Sequence, residues 1–308
     1  MKSTAAIAAP VLTRSRPLFL AGALGIVYVV WGSTYLAIRI MVDEVPPLFG
    51  AGTRFLAAGL LVAAALALRG GLRGLALTGR QFLGCSLLAF MMLVLCQGMV
   101  ATAEAGGAAS GIAALLIAAV PLWVLCYRAL AGERPTRITV AGVLAGFCGI
   151  AVVVTASGLG AAFPFWTVAA LLVAGLSWAF GSWYQPRIEL PPDPFLITMY
   201  EMLVGGAILT VIGLVGGERF DPLTYSTRSW AAWGYLVVFG SILAFSAYTW
   251  LLQSATISLA TSYAYINPLV AVCLGWLILA EPITMPTLVG GLMVVLAVAV
   301  VVRSEVQR

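Results

Sequence analysis

The amino-acid sequence predicts an all-α integral membrane protein whose ten transmembrane helices form two repeats of five. Of the 308 residues, 62% are hydrophobic and only 9% are charged, and the mean hydropathy is +1.08. A soluble domain carries about 25% charged residues, so this chain requires lipid as its solvent. A helix needs about 20 apolar residues to span a bilayer. Windows of that size fall at 17–39, 47–68, 81–101, 106–127, 137–156, 163–184, 195–215, 230–251, 255–279 and 284–302.

The first five windows follow a polar segment, residues 1–16, which we interpret as an N-terminal tail. The apolar run behind it is too long for a secretory signal and lacks a clear cleavage site, so we expect a retained first helix. The second window begins after a Pro-Pro pair, and the fourth and fifth contain glycines four residues apart, Gly107/Gly111 and Gly142/Gly146. This small-xxx-small spacing predicts close helix packing.

The last five windows repeat this organisation. The seventh again follows a Pro-Pro pair, at 191–192, and the ninth is the most polar of all. The most polar linkers, 69–80 and 216–229, are too short to form a separate domain. We interpret 303–308 as a C-terminal tail, so all function must lie within or between the helices.

The basic residues predict the orientation of the chain. In a ten-helix arrangement, 12 of the 16 basic residues lie on the side that holds both termini. These are Lys2, Arg14, Arg16, Arg69, Arg73, Arg80, Arg128, Arg134, Arg137, Arg187, Arg303 and Arg308. Because cytoplasmic loops carry the excess of Lys and Arg, both termini are predicted to be cytoplasmic.

Several classes of function are disfavoured by composition. The chain has no histidine, which removes Ser-His-Asp catalysis and most zinc or haem ligation. We expect no cofactor and no metal. The isoelectric point is near 9.1, but the basic residues stand in short clusters between apolar windows, which argues against nucleic-acid binding. The five cysteines lie inside apolar runs, and we interpret them as small buried hydrophobic residues. They are Cys85, Cys96, Cys126, Cys148 and Cys273.

Residue spacings indicate that the chain is a duplication. Trp31 and Trp178 are 147 residues apart, as are Pro121 and Pro268. Glu133 and Glu281 are 148 residues apart. The repeats are therefore 17–156 and 163–302. Because each contains an odd number of helices, the second must cross the membrane in the opposite sense, which is the symmetry that alternating access uses. A duplicated helical scaffold without transport is the alternative.

A resemblance to a known family rests on segments spread through the chain. They are WGSTYLAIRI at 31–40, PPLFGAGTRFLAAGLL at 46–61, VPLW and GERPT within 120–136, SWAFGS at 177–182, EML at 201–203 and ATSYAYINPLVAV at 260–272. In this order the set resembles the EamA-type ten-helix exporters of the drug/metabolite transporter superfamily, in particular their YedA-like branch. The resemblance implies a bacterial inner-membrane protein that exports small organic solutes or drugs from a central cavity.

Two ionisable residues lie deep inside predicted spans. Arg54 in the second helix and Glu201 in the seventh would each cost about 2.5–3.5 kcal/mol if they faced lipid. The helical rise separates them by about 11 Å in depth, which argues against a direct ion pair. We expect Glu201 to line the cavity or carry protons. For Arg54, a cavity position and snorkelling to the membrane boundary both remain open. Glu104, near the outer end of the third helix, is a minor candidate: either it guards an exit or it is an ordinary boundary acid beside water.

Aromatic and hydroxyl residues form stripes on the first and sixth helices. Trp31 and Tyr35 share a helix face with Ser33 beside it, and Trp178 and Ser182 repeat the pattern. Such rings can stack planar solutes or hold cations, so we predict that these residues bind substrate. Tight packing between helices is the alternative interpretation.

The ninth helix offers further candidates. Thr261 and Tyr265 lie on one predicted face and are preferred over Tyr263; Asn267 follows them. Pro121 and Pro268 each remove a backbone hydrogen bond, so we predict helix bends that free the carbonyls of Ile117 and Ala264. A purely structural kink, with those carbonyls bound by neighbouring hydroxyls, is the alternative.

The sequence therefore predicts a secondary transporter that exports a small organic solute across the bacterial inner membrane by alternating access, in exchange for protons. Its partners would be the solute, the lipid bilayer and protons; the sequence leaves the oligomeric state open, and a monomer is compatible with it. The alternatives are an uncoupled facilitative exporter, a membrane-embedded enzyme acting on lipid, and a scaffold or receptor. No two carboxylates lie close together inside the predicted spans, which disfavours the enzyme.

Overall fold

The computed structural model describes residues 16–133, 136–156 and 164–306, and this part of the chain is helical throughout, without strands. The predicted all-α membrane fold is confirmed. The ten helices are α1 (Arg16–Ile26, Val27–Trp31 and Gly32–Val42), α2 (Pro47–Gly70), α3 (Gly79–Ala105), α4 (Ser110–Ile117 and Val120–Leu130), α5 (Arg137–Ala156), α6 (Phe165–Arg187), α7 (Pro194–Val215), α8 (Thr227–Ser254), α9 (Ile257–Ala260, Thr261–Tyr265 and Asn267–Leu279) and α10 (Met285–Val306).

Eight of these helices in the described ranges are long and apolar enough to cross a membrane. The other two, α5 and α10, contain shorter apolar stretches at Arg137–Val152 and Met285–Val300. In the predicted C-terminal tail, α10 continues as helix to Val306. The predicted N-terminal tail lies almost entirely outside the described residues.

Three helices contain π-helical segments, at Val27–Trp31 in α1, Ala89–Gln97 in α3 and Leu236–Leu243 in α8. The segments of α3 and α8 begin 147 residues apart, the same spacing that relates Trp31 to Trp178. A π segment leaves backbone groups out of the regular ladder and is frequent at functional sites. Hydropathy windows do not detect such segments, because they depend on local backbone geometry.

The two five-helix halves pack through equivalent helices, α2 against α7 and α5 against α10. Glycines permit the close approach. A Cβ on Gly206 would lie 2.8 Å from the carbonyl oxygen of Gly52 and 2.8 Å from the nitrogen of Leu56. Likewise a Cβ on Gly149 would lie 2.9 Å from the carbonyl oxygen of Gly290. Small residues at such crossings are typical of membrane helices, where dispersion contacts replace the hydrophobic effect.

The bundle has two faces. The face where α1 begins and α10 ends is called the terminal face, and it also carries the linkers 71–78 and 188–193. On this face Arg80, at the start of α3, pairs with Glu189 of the second linker at 3.9 Å. The opposite face, called the distal face, carries the linkers 43–46, 106–109, 216–226 and 280–284. These two names are used below.

Candidate functional site

A cavity lies in the distal half of the bundle, between helices of both halves of the chain. The volume open to the centre of a water molecule is about 40 Å³, which is room for a few waters and not for an organic solute. Its lining comprises Trp31, Thr34, Tyr35, Ile38, Arg54, Phe55, Cys96, Gln97, Val100, Ile117, Trp178, Gly240, Ser241, Phe245, Tyr263 and Asn267.

Five buried rings lie at or beside the cavity on the side of the terminal face, and we call them the aromatic cluster: Trp31, Trp178, Phe245, Tyr248 and Tyr263. The Trp31 ring lies at the centre, with centroid distances of 5.2 Å to Trp178, 4.9 Å to Tyr248 and 5.3 Å to Tyr263. Most of these pairs have the edge-to-face or tilted geometry that aromatic rings prefer. Since the rings come from α1, α6, α8 and α9, the cluster joins the two halves.

Hydrogen bonds hold the rings of the cluster in place. The Trp31 indole donates to the carbonyl of Gly240 over 3.1 Å, and this carbonyl belongs to the π segment of α8. The Tyr248 and Ser182 hydroxyls are 2.8 Å apart. One turn closer to the terminal face, the Tyr28 and Ser262 hydroxyls are 2.6 Å apart and join α1 to α9. The π segment of α8 therefore has a local role, because it contributes an acceptor to a ring of the other half.

Arg54 forms the polar side of the cavity. The residue is 3% exposed, so snorkelling to the boundary is not the position that the structure gives it. Its guanidinium donates to the Gln97 side-chain oxygen over 2.8 Å and lies 4.4 Å from the centre of the Phe55 ring. The Nε atom has no partner, and no carboxylate of the described residues comes within 4.0 Å of the guanidinium. The wall of the cavity therefore includes a buried cation whose hydrogen-bond partner is a neutral amide.

Glu201 lies elsewhere, outside the lining of this cavity. It is fully buried, and neither carboxylate oxygen has a hydrogen-bond partner among the described residues. One turn further along the same face of α7, a Cβ on Gly205 would lie 2.8 Å from the Cβ of Leu93, so this face packs against α3. Thr198, one turn before Glu201, is also buried with an unpartnered hydroxyl.

The predicted exposure of Glu104 is wrong. Its side chain is fully buried near the distal end of α3, and neither carboxylate oxygen has a partner in the described part of the chain. Arg39 donates to the backbone carbonyl of Glu104 over 3.4 Å, while the same guanidinium pairs with Asp43 at 2.7 Å. The distal end of α3 packs against α6, α2 and α1, and this burial is not indicated by a position near a helix end.

The remaining candidate residues are divided between the cavity and its surroundings. Tyr35 and Asn267 line the cavity, whereas Ser33 contacts the Tyr235 hydroxyl at 2.6 Å. Thr261 donates to the carbonyl of Ile257 over 2.8 Å. The side chain of Tyr265 lies outside the described part of the structure.

A backbone change explains why Tyr263 contributes to the cavity, although the sequence interpretation ranked it below Tyr265. Residues Thr261–Tyr265 form a 3₁₀ helix, which turns about 120° per residue instead of about 100°. Asn267 follows immediately, and with its amide nitrogen assigned toward the backbone it donates to the carbonyls of Tyr263 at 3.2 Å and Tyr28 at 3.0 Å. The amide thus joins the break in α9 to the π segment of α1.

Pro121 and Pro268 both stand at helix breaks. Each is the second residue of a new helical segment, at Val120–Leu130 and Asn267–Leu279. Proline is tolerated there because the amide that it lacks would have no partner in a first turn. Both breaks adjoin the cavity, through Ile117 on one side and Asn267 on the other.

Three carboxylates bind helix N-termini across the distal face, and we call them the distal latch: Glu44, Glu218 and Glu281. Glu218 accepts from the backbone amides of Leu48 and Phe49 at 3.1 and 2.6 Å. Glu281 accepts from Ser110, at 2.9 Å from the amide and 2.8 Å from the hydroxyl. Glu44 accepts from the Ser226 amide at 2.7 Å. Each bond links one half of the chain to the other, and anions at helix N-termini are favourable.

Sequence reasoning missed the latch, Phe245 and Tyr248. The pair Phe245 and Tyr248 is spaced by three residues on α8, which is a detectable aromatic stripe. The latch carboxylates stand in linkers beside water, where acids carry no signal, and their partners are about 170 to 180 residues away.

Comparison with known proteins gives concordant results. Residues 18–155 and 165–303 each match the EamA-like transporter family. The chain is 43% identical over 260 residues to the inner membrane transporter YedA of Escherichia coli K12, which covers 84% of this chain and 82% of that protein. A transporter of Archaeoglobus fulgidus is 26% identical over 92% of this chain and 97% of its own length. A crystal structure with 18% identity matches with a TM-score of 0.65 over 94% of this chain and 96% of that chain, which shows the fold alone.

Proposed function

Because the chain belongs to the EamA-like transporter family, we propose that this multi-pass inner-membrane transporter exports a small organic solute by alternating access of its central cavity. The observation that carries the proposal is the position of the cavity between the two halves, with Trp31 of one half in contact with Trp178 of the other at 5.2 Å. A cavity at the interface of two repeats opens to either side when one half rocks against the other.

The orientation follows from the basic residues. In the topology predicted from the sequence, 12 of the 16 basic residues belong to the side that holds both termini, so we assign the terminal face to the cytoplasm and the distal face to the periplasm. The two five-helix repeats then cross the membrane in opposite senses. Export begins when the solute enters past the aromatic cluster and ends when the distal face opens.

Two sets of contacts between the halves are the candidate gates of the cavity. We assign the cytoplasmic gate to the aromatic cluster and the periplasmic gate to the distal latch, which joins the halves on that side. Release of solute requires the carboxylates of the latch to leave their helix N-termini, whereas entry requires the rings to separate. The two closures lie at opposite ends of the cavity, so they can open in alternation.

We assign proton coupling to Glu201. A carboxylate buried without hydrogen bonds is costly as an anion, so this environment favours the neutral acid. Rocking of α7 against α3 would bring Glu201 to water, where the proton leaves. The repeat spacing of 147 residues pairs Glu201 with Arg54, so equivalent depths of the two halves hold the two deeply placed charges.

Proteoliposomes with an imposed pH gradient test this proposal. We expect the purified parent protein to concentrate radiolabelled solute from a panel of amino acids and other small metabolites, and Glu201→Gln to move the same solute only down its gradient. Glu189→Gln is the matched control, because Glu189 is half exposed on the terminal face. If Glu201→Gln concentrates solute as well as the parent does, the coupling role of Glu201 is refuted. If the parent itself moves solute only down its gradient, uncoupled export is supported. If no solute moves with the parent, export itself is refuted.

A further inference from the structure

We infer that the cavity takes a solute with an anionic group, held by Arg54, and with a planar or apolar body that lies against the aromatic cluster. The inference rests on the proposed function and narrows its substrate class. The observation behind it is the mismatch between a buried, fully charged guanidinium and its single neutral partner in the resting protein.

The charge of the cavity wall is the first step. Of the residues that line the cavity, Arg54 alone carries a full charge at neutral pH, since the others are apolar, hydroxyl, amide or thiol side chains. An enclosed site with one sign of charge attracts the opposite sign and repels its own. The cavity therefore selects against organic cations, although the aromatic rings by themselves would suit a cation.

The hydrogen-bonding capacity of Arg54 is the second step. Guanidinium has five N–H donors in a planar fork that fits a carboxylate or phosphate with two parallel bonds. Here the single hydrogen bond goes to Gln97 at 2.8 Å, and Nε is unpartnered. An incoming anion can therefore accept hydrogen bonds from the remaining donors, and no ion pair has to break first.

No carboxylate of the described neighbouring helices forms an ion pair with Arg54, although Glu104 attracts it electrostatically. Directly after α1, the carboxylate of Asp43 already pairs with Arg39 at 2.7 Å. On α3, Glu104 lies beyond ion-pair distance of Arg54 and is fully buried. Beyond α7, Glu218 is occupied by the amides of α2 at 3.1 and 2.6 Å. A negative charge supplied by the solute would thus complete the pair, which no described side chain does at contact distance.

The position of the rings completes the argument. Trp31 and Phe245 belong both to the aromatic cluster and to the cavity lining, and Tyr35 extends the aromatic wall. Arg54 lies on α2, the helix that packs against α7. A solute with an anionic head on Arg54 and a flat body on these rings contacts both halves of the chain, so its binding senses their relative position.

Binding of isosteric probes tests the inference. Benzoate, benzamide and benzylamine, and the corresponding indole-3-carboxylate, carboxamide and methylamine, share a ring and differ in charge. With detergent-purified full chain, we expect a carboxylate of at least one series to bind at least about tenfold more tightly than its amine. We expect Arg54→Gln to weaken that binding by at least about tenfold and Arg54→Lys to retain part of it. Arg73→Gln, an exposed arginine of the terminal face, should bind like the parent.

The melting temperature and the binding of the probes together separate a role of Arg54 in ligand recognition from a role in folding. Without ligand, Arg54→Gln should melt at the same temperature as the parent or higher, because it removes a buried charge that has no ion-pair partner. Equal binding of carboxylate, amide and amine, tighter binding of the amine, or carboxylate binding that survives in Arg54→Gln would each overturn the inference. Failure of every probe to bind the parent protein would also count against it.

The outcome is distinguishable from that of the proposed function. If proteoliposomes transport amines or neutral solutes and Arg54→Gln has no effect, export stands and the anion assignment fails. If carboxylates bind in an Arg54-dependent manner but no solute crosses the membrane, the anion site stands and export fails.

Discussion

The distal latch makes a quantitative prediction at Glu281. Its carboxylate accepts hydrogen bonds from the Ser110 amide at 2.9 Å, the Ser110 hydroxyl at 2.8 Å and the Gly111 amide at 3.4 Å. Glu281→Gln keeps the shape and one acceptor but removes the negative charge from the N-terminus of α4. Such a charge contributes about 0.3–1 kcal/mol, and up to about 2 kcal/mol when partly buried. We expect Glu281→Gln to lose about 1–2 kcal/mol of this stabilisation, because the site is partly buried and two of its hydrogen bonds are short.

This loss applies only to conformations in which the distal face is closed. The population with an open distal face should therefore rise by about 5- to 30-fold, at about 1.4 kcal/mol for each factor of ten. Cys96 reports that population, because it lines the cavity and is 2% exposed in the closed state. With the other four cysteines replaced by alanine, an impermeant maleimide added on the periplasmic side should label Cys96 faster by the same factor.

A matched control separates opening from general destabilisation. Asp193 accepts from the Phe195 amide at 2.9 Å and caps α7, but this bond stays within one half of the chain. Asp193→Ala should lower the melting temperature by an amount that corresponds to a lost cap of about 1 kcal/mol, without faster labelling. If Glu281→Gln lowers the melting temperature but labels Cys96 at the parent rate, Glu281 is a helix cap only and the latch is refuted.

Three further predictions concern packing, pH and binding. Gly206→Ala should destabilise the protein by about 1–3 kcal/mol in a thermal melt, because the added Cβ would lie 2.8 Å from backbone atoms of α2. Gly234→Ala is the control and should be neutral, because the space around Gly234 is open. Equal melting temperatures of the two variants would contradict the packing argument. Hydrogen bonds from Ser229 and Ser226 hold the pKa of Glu44 below its ordinary value of 4.5. The stabilisation of the folded protein by ionised Glu44 is therefore present above pH 4.5 and is lost as the pH falls through the lowered pKa. Glu44→Gln cannot titrate, so it should remove this contribution to the fall of the melting temperature in acid. Trp31→Ala should weaken solute binding by about 0.5–2 kcal/mol if a ring face holds the solute, whereas unchanged binding with a lower melting temperature would assign the ring to packing.

The sequence predicted features that depend on short stretches or on fixed spacing. Apolar windows indicated ten helices, and the spacing of 147 residues singled out Trp31 and Trp178, whose rings lie 5.2 Å apart. Pro121 and Pro268 were expected at bends and stand at helix breaks. Each of these features can be seen in a single segment or in its repeat.

Features that depend on helix rotation could not be predicted. The 3₁₀ segment Thr261–Tyr265 changes the angle between neighbouring side chains, so Tyr263 contributes to the cavity although an ideal helix favoured another face. Glu104 is buried because helices from elsewhere in the chain cover it. Glu201 and Arg54 share a repeat position, yet only Arg54 lines the described cavity.

The sequence by itself determined that the chain is a duplicated bundle of membrane helices, because a bilayer core forces about 20 apolar residues into each span and satisfies the backbone internally. Tertiary structure decided which side chains meet. The aromatic cluster joins four helices, and each latch bond joins residues about 170 to 180 positions apart. In lipid, helix rotation is set by dispersion contacts and polar pairs between segments remote in sequence, and an apolar window carries no record of its neighbours.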